Sequence, residues 1–216
     1  MPIVPAAGDP PPAAAIAEAV LALGAGDIVG IPTDTVYGLA ADPFHTGASD
    51  RLFAVKARPR TVELPVLVAD AEQALDLTIA VPDAARRLMA RYWPGALTLV
   101  LPRRPDLNAD LGDDDATIGI RCPAHPVPIA LCRELGPVAT TSANRHGEPP
   151  VATASELAQV LGSSVKLILD AGICTGSPST VVDCTGIEPR LLREGRVPWE
   201  DIQAIAATPA EGGSPV

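Results

Sequence analysis

Residues 31–39 read Ile31-Pro32-Thr33-Asp34-Thr35-Val36-Tyr37-Gly38-Leu39 and join an apolar segment directly to a polar turn. The apolar residues 28–31 predict a buried strand that ends at the proline. In open α/β sheets, ligands bind beyond the ends of the strands, so Thr33, Asp34 and Thr35 are candidate ligand-binding residues. Taken alone, the stretch fits a capped turn at least as well, because short polar side chains stabilise turns by bonding to nearby backbone.

Outward from this stretch, strands alternate with helices along most of the chain, which predicts an α/β fold. The predicted helices cover residues 13–23, 49–57, 70–75, 82–92, 127–135, 153–161 and 199–206. The predicted strands cover residues 28–31, 65–68, 97–101, 117–121, 138–141, 165–170, 180–183 and 190–194. The closing strands follow one another less regularly, so we expect a mixed sheet.

The length of 216 residues predicts one domain, large enough to fold without disulfides or metals. We expect residues 1–12 to form a disordered lead, 13–207 the folded domain and 208–216 a loose tail. The start lacks the pattern of a signal peptide and no apolar run is long enough to span a bilayer, so we expect a cytoplasmic protein. The four cysteines form no CxxC pair, which favours reduced, mostly buried thiols over a zinc site.

The formal net charge of −10 argues against non-specific binding of nucleic acid across the surface. The positions of the few cations are therefore informative. Lys56, Arg58 and Arg60 fall within five residues at the end of a predicted helix. They could simply interact with the helix C-terminus, or they could clamp a phosphate or a carboxylate.

Two further polar stretches flank predicted strands: residues 140–144 leave the end of one strand, and the hydroxyls at the start of residues 177–183 precede another. Arg193 ends the strand after that. Each also fits a turn, a helix cap or a surface salt bridge. Gly24, Gly26 and Gly30 precede a strand instead of following one, so they do not form a dinucleotide-binding fingerprint. The chain has no Walker A loop, and any ATP must bind by another device.

The order of these motifs along the chain resembles the YrdC-like family over roughly residues 15–205, in its short single-domain form. The family fold is a twisted, mostly mixed sheet flanked by helices around a positively charged concave cavity. The resemblance rests on Thr33-Asp34-Thr35-Val36-Tyr37-Gly38-Leu39, Lys56, Arg58, Trp93-Pro94-Gly95, Leu97-Thr98-Leu99, Arg121, Ser142-Ala143-Asn144, Ser179-Thr180-Val181-Val182-Asp183 and Arg193.

The resemblance implies a synthase that combines L-threonine, bicarbonate and ATP into threonylcarbamoyl-AMP and pyrophosphate. Partner proteins then transfer the threonylcarbamoyl group to adenosine 37 of tRNA. Mg²⁺ would arrive with ATP, without a dedicated metal site. Position by position, the resemblance assigns threonine binding to Thr35, Arg121, Thr140 and Ser179, ATP binding to Arg58, Thr117, Ser142, Asn144 and Arg193, and catalysis to Lys56 and Arg58.

Three positions depart from the family pattern. Leu64 and Ala69 replace an asparagine and a histidine that many members carry, and Pro150 replaces a serine. Because polar contacts to threonine and ATP would be lost, a paralogue that binds double-stranded RNA or tRNA without synthase activity stays open as an alternative. A third alternative is an enzyme acting on carbamoyl phosphate, as related domains do inside larger carbamoyltransferases.

Overall fold

Ten strands form a single twisted sheet within the residues that the computed structural model describes, 1–144 and 148–207. The strands are β1 (Ile3–Pro5), β2 (Val29–Ile31), β3 (Gly38–Ala41), β4 (Val66–Leu67), β5 (Leu97–Pro102), β6 (Thr117–Arg121), β7 (Val138–Ser142), β8 (Leu167–Asp170), β9 (Thr180–Asp183) and β10 (Arg190–Arg193). Their order across the sheet is β1-β8-β2-β3-β7-β4-β6-β5-β9-β10. The sheet combines parallel pairs such as β5 with β9 and antiparallel pairs such as β5 with β6, which confirms the expected mixed sheet.

Helices cover both faces of the sheet. They are α1 (Ala13–Gly24), α2 (Ala48–Lys56), α3 (Ala71–Leu75), α4 (Asp83–Tyr92), α5 (Pro126–Leu135), α6 (Ala154–Leu161) and α7 (Trp199–Ala206). The longest of these, α1, has 12 residues. Across residues 1–144 and 148–207, the chain contains no helix with the length and apolar character needed to cross a membrane.

Two apolar cores lie on opposite faces of the sheet. Helices α1 and α5 close one core, and α2, α4, α6 and α7 close the other. Strand β8 shows why both cores form, because Leu167 and Leu169 point into the first and Ile168 into the second. Side chains alternate along a strand, so an apolar run on a central strand serves both faces.

The expected disordered lead at residues 1–12 is wrong, because β1 lies within it. Ile3, Val4 and Pro5 pair in parallel with β8, and the Ala6 amide donates to the Asp170 carbonyl at 2.7 Å. Three residues flanked by prolines give no periodic pattern, so only the neighbouring strand reveals the pairing. The expected loose tail at 208–216 lies outside the described residues.

Strand β3 was also absent from the sequence-based prediction. It reads Gly38-Leu39-Ala40-Ala41, is buried along its whole length and lies between β2 and β7. Small residues buried on both faces lack the alternation and the branched side chains by which strands are recognised.

The four cysteines are buried and unpaired, as expected. Burial raises the pKa of Cys122 to about 11 and that of Cys132 to about 12. These thiols are therefore protonated and unreactive at neutral pH.

Candidate active site

An open cavity of about 390 Å³ lies over the middle of the sheet, a volume suited to a small-molecule ligand. Strand ends and the connections that follow them supply its lining. Hydroxyl-bearing residues contribute Thr33, Thr35, Thr98, Thr140, Thr141, Ser142 and Ser179. Three arginines, Arg58, Arg121 and Arg193, share the cavity with one carboxylate, Glu63.

Arg121 anchors one end of the cavity from the last position of β6. Its guanidinium donates to Thr35 Oγ1 at 3.0 Å, to Asp34 Oδ1 at 2.5 Å and to the Gly95 carbonyl at 3.0 Å. Burial lowers the pKa of Arg121, and the adjacent Asp34 carboxylate acts in the opposite direction. The turn after β2 thus orients the arginine, while Thr35 and Arg121 both face the cavity.

Ser179 connects Arg121's end of the cavity to Arg193. The Thr98 hydroxyl of β5 lies 2.9 Å from the hydroxyl of Ser179, the residue immediately before the neighbouring strand β9. The Arg193 guanidinium donates to the Ser179 carbonyl at 2.8 Å and to Ser179 Oγ at 3.1 Å. Residues assigned to threonine and to ATP therefore touch one another.

Arg58 projects from the connection between α2 and β4, residues 57–65, which we call the arginine loop. Its Nε donates to the Val62 carbonyl and its Nη2 to the Glu63 carbonyl, both at 2.6 Å. Burial lowers the pKa of Arg58, and repulsion from Arg193 lowers it further. Cations that converge in this way favour an anionic ligand between them.

Lys56 lies behind the cavity wall at the end of α2, 7% exposed. Its ammonium group donates to the Ser142 carbonyl at 2.8 Å, to Asn144 Oδ1 at 3.0 Å and to the Asn144 carbonyl. Burial, followed by repulsion from Arg58, lowers the Lys56 pKa to about 8. The predicted catalytic lysine thus supports the segment that carries Ser142.

Seven of the ten predicted site residues line the cavity: Thr35, Arg58, Arg121, Thr140, Ser142, Ser179 and Arg193. Lys56, Thr117 and Asn144 do not contribute to this lining. The Thr117 hydroxyl instead donates to Asp114 Oδ2 at 2.9 Å, and Asn144 Oδ1 accepts from the Ser142 hydroxyl at 2.6 Å. The individual roles of all ten stay predictions.

Of the three departures from the family pattern, Leu64 and Pro150 line the cavity. Ala69 does not line the cavity. Its backbone amide donates to Gln73 Oε1 at 2.8 Å. Two positions at which the family carries a polar side chain are therefore apolar surface in this cavity.

The lining residues to which sequence reasoning assigned no role include Thr98, Gly119 and Glu63. Thr98 is a hydroxyl within the apolar run of β5, a signal that could have identified it. Burial raises the pKa of Glu63, and repulsion from Asp114 raises it further. Its position in the cavity depends on the path of the arginine loop, which no local pattern predicts.

A mixed α/β sheet with a hydroxyl-rich, three-arginine cavity over its centre defines a protein built to bind a small anionic ligand. The Sua5/YciO/YrdC family model, described as "Telomere recombination", matches residues 21–195. The chain belongs to this family, which confirms the resemblance seen in the sequence.

Related proteins are similar to this chain over most of its length. A Mycobacterium tuberculosis relative is 44% identical over 196 residues, which is 90% of each chain. The Bacillus subtilis protein named threonylcarbamoyl-AMP synthase is 42% identical over 88% of this chain and 56% of its own length. The structure of Pyrococcus abyssi Sua5 complexed with L-threonine has a TM-score of 0.85 and 34% identity, covering 95% of this chain and 61% of that one.

Proposed function

We propose that this protein is an L-threonylcarbamoyladenylate synthase, a nucleotidyltransferase that combines L-threonine, bicarbonate and ATP into threonylcarbamoyl-AMP and pyrophosphate. The observation that carries the proposal is the single cavity shared by the two predicted sets of residues, with Arg193 and Ser179 in contact at their boundary. The likeness to a Sua5 structure complexed with L-threonine supports the same conclusion.

Threonine binds at the Arg121 end of the cavity. The guanidinium of Arg121 pairs with the amino acid carboxylate, and the hydroxyls of Thr35, Thr140 and Ser179 accept from or donate to its polar groups. The threonine amine attacks carbon dioxide derived from bicarbonate and loses a proton, which gives a carbamate. The carbamate oxygen then attacks the α-phosphorus of ATP and pyrophosphate leaves.

ATP binds at the Arg58 end, where Arg58, Arg193 and Ser142 approach its phosphates. Asn144 supports this end by accepting from the Ser142 hydroxyl, and the resemblance assigns Thr117 to the same end. Each reacting species is anionic, so fixed cations and hydroxyl donors lower the barrier by holding two negative groups together. Mg²⁺ enters with ATP and neutralises phosphate charge, and Glu63 is the carboxylate of the described lining that could approach it.

The product passes to tRNA-modifying partners that transfer the threonylcarbamoyl group to adenosine 37. This role places the protein in the cytoplasm with its substrates. Binding of RNA by this chain is not required for the adenylation step, and the net charge of −10 disfavours a broad RNA-binding surface.

The test is pyrophosphate release measured with each substrate omitted in turn. We expect release only when L-threonine, bicarbonate and ATP are all present, and carbamoyl phosphate should not replace threonine plus bicarbonate. Arg58→Ala should reduce the rate by about 100-fold, because one charge-assisted contact to the transition state is lost. Equal release without threonine or without bicarbonate would refute the synthase assignment.

A further inference from the structure

Gly119 is a glycine in the floor of the cavity that the backbone does not require. It lies in the middle of β6, directly opposite Val100 of β5. Gly119 is not one of the glycines with a positive φ angle in the described chain, so other residues could adopt its backbone conformation. A glycine within a strand weakens the strand and often marks a close approach of a ligand.

Packing does not require a glycine at this position either. A Cβ atom on Gly119 would lie 3.5 Å from Pro65 Cβ and 3.8 Å from Thr98 Cγ2, which are ordinary contacts. Gly38, the other cavity glycine, differs because its Cβ would lie 3.2 Å from Thr140 Oγ1 and 3.3 Å from the Thr141 carbonyl. Crowding explains Gly38, whereas a Cβ atom on Gly119 would make only ordinary van der Waals contacts.

The neighbours of Gly119 belong to opposite ends of the cavity. Thr98 touches the Ser179 hydroxyl at 2.9 Å, on the side assigned to threonine. Pro65 follows Glu63 and Leu64 at the end of the arginine loop, on the side assigned to ATP. Arg121 lies two residues further along the same face of β6.

We propose that Gly119 determines whether the two substrates can meet: its missing side chain keeps open the passage in which the carbamate reaches the α-phosphorus. This inference rests on the proposed synthase function. It identifies Gly119 as the position whose small size keeps the two substrate sites connected in one cavity. A larger residue would leave each end intact and separate them.

The test compares wild type with Gly119→Ala and Gly119→Val. Calorimetry measures the binding of L-threonine and of AMP separately, and mass spectrometry measures threonylcarbamoyl-AMP formation. We expect Gly119→Ala to remain active, since one methyl group makes only ordinary contacts. Gly119→Val should bind each ligand within about threefold of wild type. Its rate of synthesis should fall by about 100-fold or more, because small displacements of reacting groups cost that much.

A swapped variant, Gly119→Val with Val100→Gly, separates position from volume. It moves one valine across the same strand pair and keeps the composition of the cavity floor. We expect it to fold, as judged by thermal melting, and to stay inactive. Recovery of synthesis in the swapped variant would overturn the proposal, because total volume would then be the cause.

Two other outcomes are equally decisive. Wild-type synthesis by Gly119→Val, or loss of threonine or AMP binding in that variant, would overturn the assignment of Gly119 to the passage between the substrates. Failure of the wild-type protein itself to form threonylcarbamoyl-AMP would instead refute the proposed function, so the two failures are distinguishable.

Discussion

Lys56 illustrates how a buried charge can serve a site without entering it. Its three acceptors lie on the segment of residues 142–144, and its pKa is lowered to about 8 by burial and by Arg58. A protonated lysine has three donors, and deprotonation removes one of them. Loss of this proton should therefore loosen Ser142 and Asn144 as the pH rises.

We expect the affinity of wild type for ATP to fall as the pH rises through about 8, the value to which the Lys56 pKa is lowered. ATP binding is the suitable readout because its phosphates are already ionised in that range and threonine is absent. Lys56→Arg should bind ATP less well but equally at pH 7 and pH 9.5, since arginine stays protonated. A wild-type affinity that is constant across this range would contradict the positioning role.

Arg121 is the residue for which shape matters as much as charge. Its guanidinium reaches Thr35, Asp34 and Gly95 at once, which a lysine ammonium on a flexible chain does not reproduce. Arg121→Lys should therefore weaken L-threonine binding by about 10- to 100-fold, the value of a hydrogen bond to a charged group.

The matched control for Arg121→Lys is Arg51→Lys, at an exposed arginine of α2 whose Nη1 donates to the Gly26 carbonyl. It should leave L-threonine binding unchanged. AMP binding should change by less than about threefold in both variants. Equal loss of threonine and AMP binding in Arg121→Lys would indicate a collapsed cavity instead of a lost threonine contact.

Among the connecting elements, the arginine loop is held in place by Arg60. Its guanidinium donates to Asp50 at 2.6 Å and to Asp110 at 2.5 Å, and Asp113 lies 3.3 Å away. The Arg60 carbonyl accepts from the Asp113 amide at 3.1 Å, and the side chain lies over the Phe53 ring. This network fixes the loop that carries Arg58 into the cavity.

We expect Arg60→Met to raise the KM for ATP by about threefold to tenfold. The free energy that a network of partly exposed ion pairs contributes to holding the loop corresponds to a change of about this size. The KM for threonine should not change. Arg104→Met is the control, because Arg104 forms a similar exposed pair with Asp106 away from the arginine loop. Equal effects of the two variants on the KM for ATP would show that Arg60 has no specific role.

Strand β1 shows what local sequence does and does not predict. The longer strands and all seven helices follow from apolar runs, proline positions and caps such as the Thr153 and Glu156 capping box. Strands β1 and β3 could not be predicted, because one is three residues long and the other is built from small residues buried on both faces. Both strands are identified only by their pairing with neighbouring strands.

The pairing of β1 can be tested on two adjacent residues. Val4 is half-buried and packs against the core closed by α1 and α5, whereas Ile3 is 41% exposed. Val4→Asp should lower the free energy of unfolding by about 2 kcal/mol, because it places a charge against apolar side chains. Ile3→Asp should change it by less than about 0.5 kcal/mol. Equal changes in urea denaturation would contradict the strand.

At the scale of the whole molecule, the sheet order explains how separate motifs become one site. The order brings β3, β7, β4, β6, β5 and β9 side by side, so residues far apart in sequence line the same cavity. Motif order predicted seven residues that line this cavity, although their individual roles stay predictions. The position of Lys56 behind the cavity wall and the loose packing beside Gly119 could not be predicted. Both depend on how the arginine loop and the strands pack.

The most direct test of the account is incorporation of labelled bicarbonate into the product. The purified protein is incubated with L-threonine, ATP, Mg²⁺ and ¹³C-bicarbonate, and the nucleotide products are resolved by mass spectrometry. We predict one labelled carbon in threonylcarbamoyl-AMP and one pyrophosphate released for each molecule formed. Pyrophosphate release without labelled adenylate, or no turnover of ATP with all three substrates present, would contradict the central claim.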